Sequence, residues 1–415
     1  MTFVLKEILV RQSKAAIVGA GIVGLAHAWS AAERGCQVTV FERNSRASGA
    51  SIRNFGMIWP IGQPHGENYE TAMLSRTRWL RLSTEAGLWV NPCGSIHLAH
   101  RPDEWIVLQQ FRERAEFLGI ACELLTPEEV QRRTPAANFH GLLGGLYSPT
   151  ECCVNPREAT RSIPAWLAAK YGVTFHFETH IASVESIGDD MCGRTNVRVT
   201  TSLGDCEHFE RAIICCGADM QSLFPNVLAS SDMKRCKLQM MSVRGHGTGW
   251  TLGPHLASGL TLRHYRNFEI CPGIEDLRKR ISDETPELDH FGIHVMASQN
   301  NHGDIILGDS HEYGADIEPF DKAFVDELML RELRKILQLP DWTVAEHWHG
   351  FYAKHPTLPV FEATPEPGIH LCTGTGGAGM TMSFGLAERM WDRWTDSNPF
   401  SFPFSFPTSF RWNKD

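Results

Sequence analysis

Apolar residues come in short runs separated by glycines and polar clusters, and the spacing inside each run changes along the chain. Residues 15–18 (Ala-Ala-Ile-Val) form a continuous run of small and β-branched side chains, the pattern of a strand buried on both faces. The run enters a glycine turn, apolar spacing becomes helical over residues 22–34, and Gly35 ends it before a second strand-like run over 37–41. Helices are expected over 69–85 and 104–118, with apolar positions at threes and fours. Thr126-Pro127-Glu128-Glu129 reads as an N-cap with proline at N1. Residues 141–147 are strand-like, and Asn155-Pro156-Arg157 opens another helix. Strand, turn and strand are expected over 173–184, with a further meander over 196–201 and 209–216. Alternation at 237–243, 260–270, 292–298 and 304–309 predicts an antiparallel sheet separate from the first unit, followed by a helix over 321–337. Residues 368–372 then form a strand-like run, 374–380 a second glycine loop, and a helical pattern continues through Trp394.

The first of these units carries recognisable chemistry. Gly19 permits a tight turn, Gly21 leaves room for a pyrophosphate beside the backbone, and Gly24 lets the helix lie close on the strand. The helix N-terminus offers unpaired N–H groups and partial positive charge to the phosphates. Glu42 follows the second strand 18 residues after Gly24, near the offset of about 20 expected of an acid that bonds ribose hydroxyls. A dinucleotide site is therefore expected, without a choice between FAD and NAD. Glu42 disfavours a 2′-phosphate, although Arg43 stands beside it. The small, polar segment 44–58 that follows is placed to run along an extended cofactor. Residues 212–218 read as a buried strand ending in Gly217-Ala218, where backbone can approach a ligand. The second glycine loop lacks a following strand with a terminal acid, so it suits negative charge at a helix N-terminus rather than a second dinucleotide.

Composition narrows the class. The chain has 415 residues, 42% hydrophobic and 21% charged, long enough for two domains around sizeable cores. A net charge of −9 argues against a nucleic-acid partner. No apolar run is long enough for a membrane span, and residues 1–14 are too short and too charged for a signal-peptide core, so a cytoplasmic location is expected. The twelve cysteines show no CxxC or zinc spacing and read as reduced, mostly buried thiols. His347 and His349 lack companions at ligand spacing, so no metal is expected. The Phe/Pro/Ser-rich stretch 398–407 suits packing on the surface or against another subunit, leaving a homo-oligomer open.

The glycine motif with Glu42, the segment from Gly49 to Met57, the strand ending at Gly217 and the loop 374–380 together resemble the D-amino-acid-oxidase superfamily of FAD-dependent oxidoreductases, the group with glycine oxidase and monomeric sarcosine oxidase. The resemblance covers nearly the whole chain. It implies an α/β (α+β overall) fold, with a Rossmann-like FAD-binding domain from 1–68, 141–230 and 345–415 and a mostly antiparallel substrate domain from 69–140 and 231–344. FAD, held non-covalently, is expected against Gly19, Gly21, Ile22, Val23, Glu42 and Arg43. Further contacts are expected from Ser48, Gly49, Ala50, Ser51, Arg53, Asn54, Phe55, Gly56 and Met57, then Val184, Cys216 and Gly217, and finally Gly376, Gly377, Gly379, Met380 and Thr381.

Departures from that family bear on the substrate. Tyr352 stands where glycine-oxidising members place an arginine for the substrate carboxylate, and Thr381 where sarcosine oxidases have a lysine. Residues 51–57 look most like the branch associated with bacterial phosphonate breakdown, which implies 2-aminoethylphosphonate or its N-methyl form as substrate. Arg263, Arg266, Lys354, His355 and Thr381 are the candidates to bind it; His264, Tyr265 and Tyr352 are the candidates to orient the amine. The expected reaction is C–N oxidation, with oxygen or another electron acceptor. Glycine, sarcosine or D-amino-acid oxidation is the alternative, with an FAD hydroxylase or a non-catalytic flavoprotein subunit behind it. Gly308-Asp309-Ser310-His311 superficially resembles a hydroxylase motif but lacks the loop and helix that accompany it there.

Overall fold

The computed structural model describes residues 13–189, 193–245, 247, 249–314 and 316–396. Most of the N-terminal segment, Cys192 and the Phe/Pro/Ser-rich C-terminal stretch lie outside the described residues.

Two sheets organise the chain. The first has six strands in the order Phe361–Glu366, Ile369–Thr373, Arg211–Ile214, Lys14–Val18, Gln37–Phe41 and Thr174–His176. All neighbours are parallel except the first pair. Lys14–Val18 lies at its centre with Ala16 and Ile17 fully buried, as the unbroken apolar run requires of a strand covered on both faces. On one face pack the helices Ile22–Glu33, Glu67–Ala86, Pro156–Tyr171 and Gly379–Asp396, around Leu25, Trp29, Trp79, Ile163 and Phe384. Asn155 caps the third of these by accepting from the N–H groups of Arg157 and Glu158. On the other face lies a three-stranded antiparallel meander, Ile181–Asp189, Thr195–Thr201 and Cys206–Phe209.

The second sheet has nine strands, and only His255–Ala257 with Ser95–Ala99 pair in parallel. Its backbone is Lys234–Val243 hydrogen-bonded along its length to Val344–Lys354, in register from Lys234 opposite Lys354 to Ser242 opposite Glu346, with a one-residue shift before Val243 opposite Val344. Helices Pro102–Phe117, Ile274–Glu284 and Ala323–Ile336 bury Leu108, Phe111, Leu277, Ile281, Met329 and Leu333 in its core. Among the described residues, no helix is long and apolar enough to cross a membrane.

Several expected elements are corrected. Residues 260–270 are two 3-10 turns, Gly259–Arg263 and Arg266–Ile270, rather than a strand. The turns bury Leu260, Leu262 and Phe268, and Asn267 donates from its side chain to the Ile61 carbonyl at 2.8 Å, so the apolar positions that alternate in sequence are satisfied by a compact coil. The run 209–216 divides, with Phe209 ending the meander and Arg211–Ile214 joining the parallel sheet. Gly144–Ser148 and Val344–Lys354 pair inside the nine-stranded sheet, while Glu67–Ala86 packs against Gly379–Asp396 on the six-stranded one.

Candidate active site

The glycine turn after the first strand and the polar segment after Glu42 are held together by close backbone approaches and side-chain hydrogen bonds. Gly19 has φ +104°, and a Cβ there would stand 2.4 Å from the Cys215 carbonyl oxygen. A Cβ on Gly24 would stand 1.9 Å from the Gly19 carbonyl oxygen, so only glycine lets the helix begin this close to the turn. Ser51 Oγ accepts from the Ile22 N–H at 2.9 Å and brings the polar segment against the helix start. The Glu42 carboxylate accepts from Ala20 N at 2.9 Å and from Asn44 N at 3.0 Å, locking the strand end to the glycine turn. Asn44 also donates to Ser48 Oγ at 3.0 Å. Asn54 ties its own loop together by donating to the Ala50 carbonyl at 2.9 Å and accepting from Gly56 N at 2.8 Å. Arg53 crosses to the other sheet and donates to the His349 carbonyl at 3.1 Å.

Opposite these residues, the strand Ile369–Thr373 ends in the second glycine loop, which leads through the turn Gly376–Ala378 into the helix Gly379–Asp396. Thr373 Oγ1 donates to the Gly217 carbonyl at 2.7 Å, so the two strand ends that bear the loops are joined. Thr381 Oγ1 accepts from Trp59 N at 2.9 Å. Lys354, the last residue of its strand, bridges by backbone to Thr375, and a Cβ on Gly376 would meet its stem at 3.3 Å. The large sheet therefore touches the glycine loop directly.

Between the two loops runs a cavity of about 880 Å3, bounded by Glu42, Asn44 and Ser51 at one extreme and by His294, Asp309 and His311 at the other. Its walls bring together Gly19, Gly21, Ile22, Val23, Arg43, Ser48, Gly49, Ala50, Arg53, Asn54, Phe55 and Met57 with Cys216, Gly217, Gly376, Gly377, Gly379, Met380 and Thr381. A long cleft with a glycine turn and a helix N-terminus on its wall fits a dinucleotide with two phosphates. Arg43 is paired at 2.7 Å with Asp219, which keeps its charge on the rim.

The far end is lined by side chains. His264, Tyr265, Arg266, Tyr352, Lys354 and His355 all reach the cavity, as do Arg235, Leu238, Met240, His294, Met296, Asp309 and His311. Burial pushes the phenols of Tyr265 and Tyr352 well up, so both keep their protons. Burial lowers the Lys354 ammonium from its usual range; its Nζ donates to Tyr313 Oη at 3.4 Å, and no carboxylate pairs with it among the described residues. Arg235 lies 4.8 Å over the ring of Phe351, with Nε buried and unpartnered. Burial is also the first cause that holds His264 and His294 well below the ordinary imidazole range and pushes His311 down to about 4, while it drives Asp309 well up.

Three expected site residues are placed elsewhere. Arg263 turns away from the cavity to pair with Asp289 at 3.1 Å and to donate to the carbonyls of Leu260 and Ile293, because the 3-10 turn carries its side chain under Ile293. Val184, on the first strand of the meander, is buried with Val197 and Val199, and Thr179, His180 and Ile181 just before it line the cavity instead. Gly56 faces the backbone of Val154, where a Cβ would stand 2.1 Å from the carbonyl oxygen. His347 and His349 face Asp326 at 3.8 Å and Asp321 at 2.9 Å. Arg235, His294, Asp309 and His311 were not foreseen as site residues; only the Gly308-Asp309-Ser310-His311 string drew attention to the last two.

Known proteins share this architecture. The crystal structure of glycine oxidase from Geobacillus kaustophilus superposes with a TM-score of 0.73 at 19% identity, over 96% of this chain and 100% of that one. The D-amino acid dehydrogenase of Vibrio vulnificus strain CMCP6 is 21% identical over 433 residues, spanning 90% of this chain and 93% of the relative. The mitochondrial pyruvate dehydrogenase phosphatase regulatory subunit of Mus musculus is 27% identical over 175 residues, which is 42% of this chain but only 20% of that much longer protein. The DAO family of FAD dependent oxidoreductases matches residues 14–393, and the chain belongs to that family as an FAD-binding oxidoreductase.

Proposed function

We propose that the protein oxidises the C–N bond of a small primary or secondary amine that carries an anionic group, with an aminophosphonate such as 2-aminoethylphosphonate or its N-methyl form as the substrate class. The observation that carries the anionic preference is the pair of cations at the far end of the cavity. Lys354 and Arg235 both line it without an ion-pair partner among the described residues, and the resemblance puts Tyr352 where glycine-oxidising members carry an arginine.

FAD, held non-covalently in the glycine-lined end, would supply the oxidising power by taking a hydride equivalent from the carbon beside the amine. The chain supplies the rest. Leu238, Met240, Met296 and Trp59 wall off the far end with apolar surface, which excludes water and favours the neutral amine over the ammonium form. Tyr265 and Tyr352 keep their phenolic protons and orient the amine by hydrogen bonds. The helix Gly379–Asp396 directs its N-terminus at the cavity and stabilises negative charge there. Water then hydrolyses the released imine to an aldehyde and an amine or ammonia, and oxygen as the acceptor yields hydrogen peroxide.

A second reading, oxidation of glycine, sarcosine or a D-amino acid by an oxidase or a dehydrogenase, is favoured by the full-length similarity to a protein described as D-amino acid dehydrogenase. Anaerobic spectra of the purified flavoprotein separate the two. Bleaching of the flavin band by 2-aminoethylphosphonate or its N-methyl form, but not by glycine, sarcosine or D-alanine, is the expected result. Bleaching by the amino acids alone selects the second reading, and an intact band with every amine overturns both. Lys354→Met should weaken the aminophosphonate by about 10- to 100-fold, the worth of one charge-assisted hydrogen bond, with flavin content unchanged.

A further inference from the structure

Three histidines converge on the inner wall of the cavity from distant parts of the chain. His264 follows the turn Gly259–Arg263, His294 precedes the strand Met296–Gln299, and His311 follows the strand Ile305–Gly308. One ring nitrogen from each lies within 4.8 Å of the others, and the ring centroids of His264 and His294 are 3.8 Å apart. Backbone bonds fix the arrangement. Asp309 N donates to the His294 carbonyl at 2.9 Å, and His311 N donates to the Phe291 carbonyl at 2.7 Å.

The hydrogen bonding of these rings is incomplete in a specific way. His311 Nδ1 donates to the Gly292 carbonyl at 3.1 Å, so its Nε2 carries the free lone pair. That pattern, one ring nitrogen held by a backbone carbonyl and the other left open, is how metal-binding imidazoles are oriented. Both ring nitrogens of His294, only 2% exposed, lack a hydrogen-bond partner, and so does Asp309 Oδ1. Asp309 nevertheless lies close, 3.4 Å from His294 Nε2 and 3.6 Å from His311 Nε2, without the geometry of a hydrogen bond. A buried imidazole with no partner at either nitrogen is costly, because its N–H is desolvated for nothing.

We propose that His264, His294 and His311 bind a first-row divalent cation of the zinc type, with Asp309 offsetting its charge. Three imidazole nitrogens select such ions over magnesium or calcium, which prefer oxygen. A tetrahedral zinc site holds its ligand nitrogens about 3.4 Å apart, so binding draws the rings together by roughly 1 Å, a movement that side-chain rotation provides. The set lines the cavity, which leaves one side of the cation open to water or to an anionic oxygen.

The test uses the flavin-loaded protein, stripped with EDTA and then titrated with zinc by calorimetry, with metal counted by mass spectrometry after gel filtration. About one zinc per chain is expected, and zinc-edge X-ray absorption should show a shell of about three imidazole nitrogens at roughly 2.0–2.1 Å. His294→Ala and His311→Ala should each weaken zinc by 100-fold or more, with flavin absorbance and melting temperature retained; His347→Ala, on the outer strand, should bind like the parent. Less than a tenth of an equivalent of zinc on the parent protein overturns the proposal. So does undiminished binding in both cavity variants, or a metal shell without imidazole. Should one alanine variant fail to fold, the absorption spectrum of the parent decides alone.

Discussion

Near Glu42 the cavity is bounded by the glycine turn, where Gly19 and Gly24 leave no room for a Cβ, with Glu42, Asn44 and Ser51 beside it; near His311 the same cavity is walled by two tyrosines, four histidines, a lysine, two arginines and an aspartate. The first end offers a ligand N–H groups and a helix terminus that the fold fixes, beside the single carboxylate of Glu42. The second offers side chains whose charge and tautomer depend on burial. A change at the first end should therefore act on whether cofactor is held at all, and a change at the second on which molecule is oxidised.

The sharpest break in that comparison is Gly19→Ala. The residue holds φ +104°, and the added methyl would stand 2.4 Å from a carbonyl oxygen of a neighbouring strand rather than from a movable side chain. The turn has to shift, and the cradle with it. Flavin retained after dialysis, read from the ratio of 450 to 280 nm absorbance, should fall below about a tenth of the parent value, against the several kcal/mol of strain such a contact implies. Full retention of flavin would show that this end tolerates side chains and that the contrast is misdrawn.

A smaller effect is expected from the buried imidazoles of the large sheet. His97 is fully buried, neither ring nitrogen has a partner, and desolvation lowers it to about 3. The folded state thus keeps the ring neutral while the unfolded chain protonates it below about pH 6.5. The unfolded state binds more protons, so stability is complete above pH 6.5 and is lost as pH falls from there toward 3. At pH 5 the loss from this ring amounts to about 2 kcal/mol. Urea unfolding at pH 7.5 and pH 5 should show His97→Leu losing about 2 kcal/mol less between the two than the parent. Identical losses would mean that the ring is hydrated or paired in solution.

The two ends also differed in how readily the chain discloses them. Gly19, Gly21, Gly24 and Glu42 sit within one β-α-β unit, where spacing in sequence is spacing in space, and the loop ending in Gly379 is equally local. The far end is assembled across the pairing of Lys234–Val243 with Val344–Lys354 and Ile305–Gly308, a register that no local pattern encodes. Arg235 reaches the site through that register and reads in sequence as one more surface charge. The histidines at 264, 294 and 311 have none of the short spacings that mark ligands on a single helix or turn. Residues 260–270 misled in a further way, since alternating apolar positions suit a 3-10 coil packed under a helix as well as a strand.

Arg263 shows what that misreading does to function. On a strand it would have alternated into the cavity beside Tyr265; in the turn it lies underneath, bonded to Asp289 and to the Ile293 carbonyl, and burial lowers it despite Asp289. Arg263→Lys keeps a charge for Asp289 but loses the fork that spans both partners. It should cost about 1 kcal/mol of stability in urea unfolding, while the amine concentration for half-bleaching of the flavin moves by less than about twofold. Lys354→Met inverts the pair of effects, a large change in amine affinity with little in stability. A tenfold loss of amine affinity in Arg263→Lys with unchanged stability would put the guanidinium in the cavity and require the turn to open.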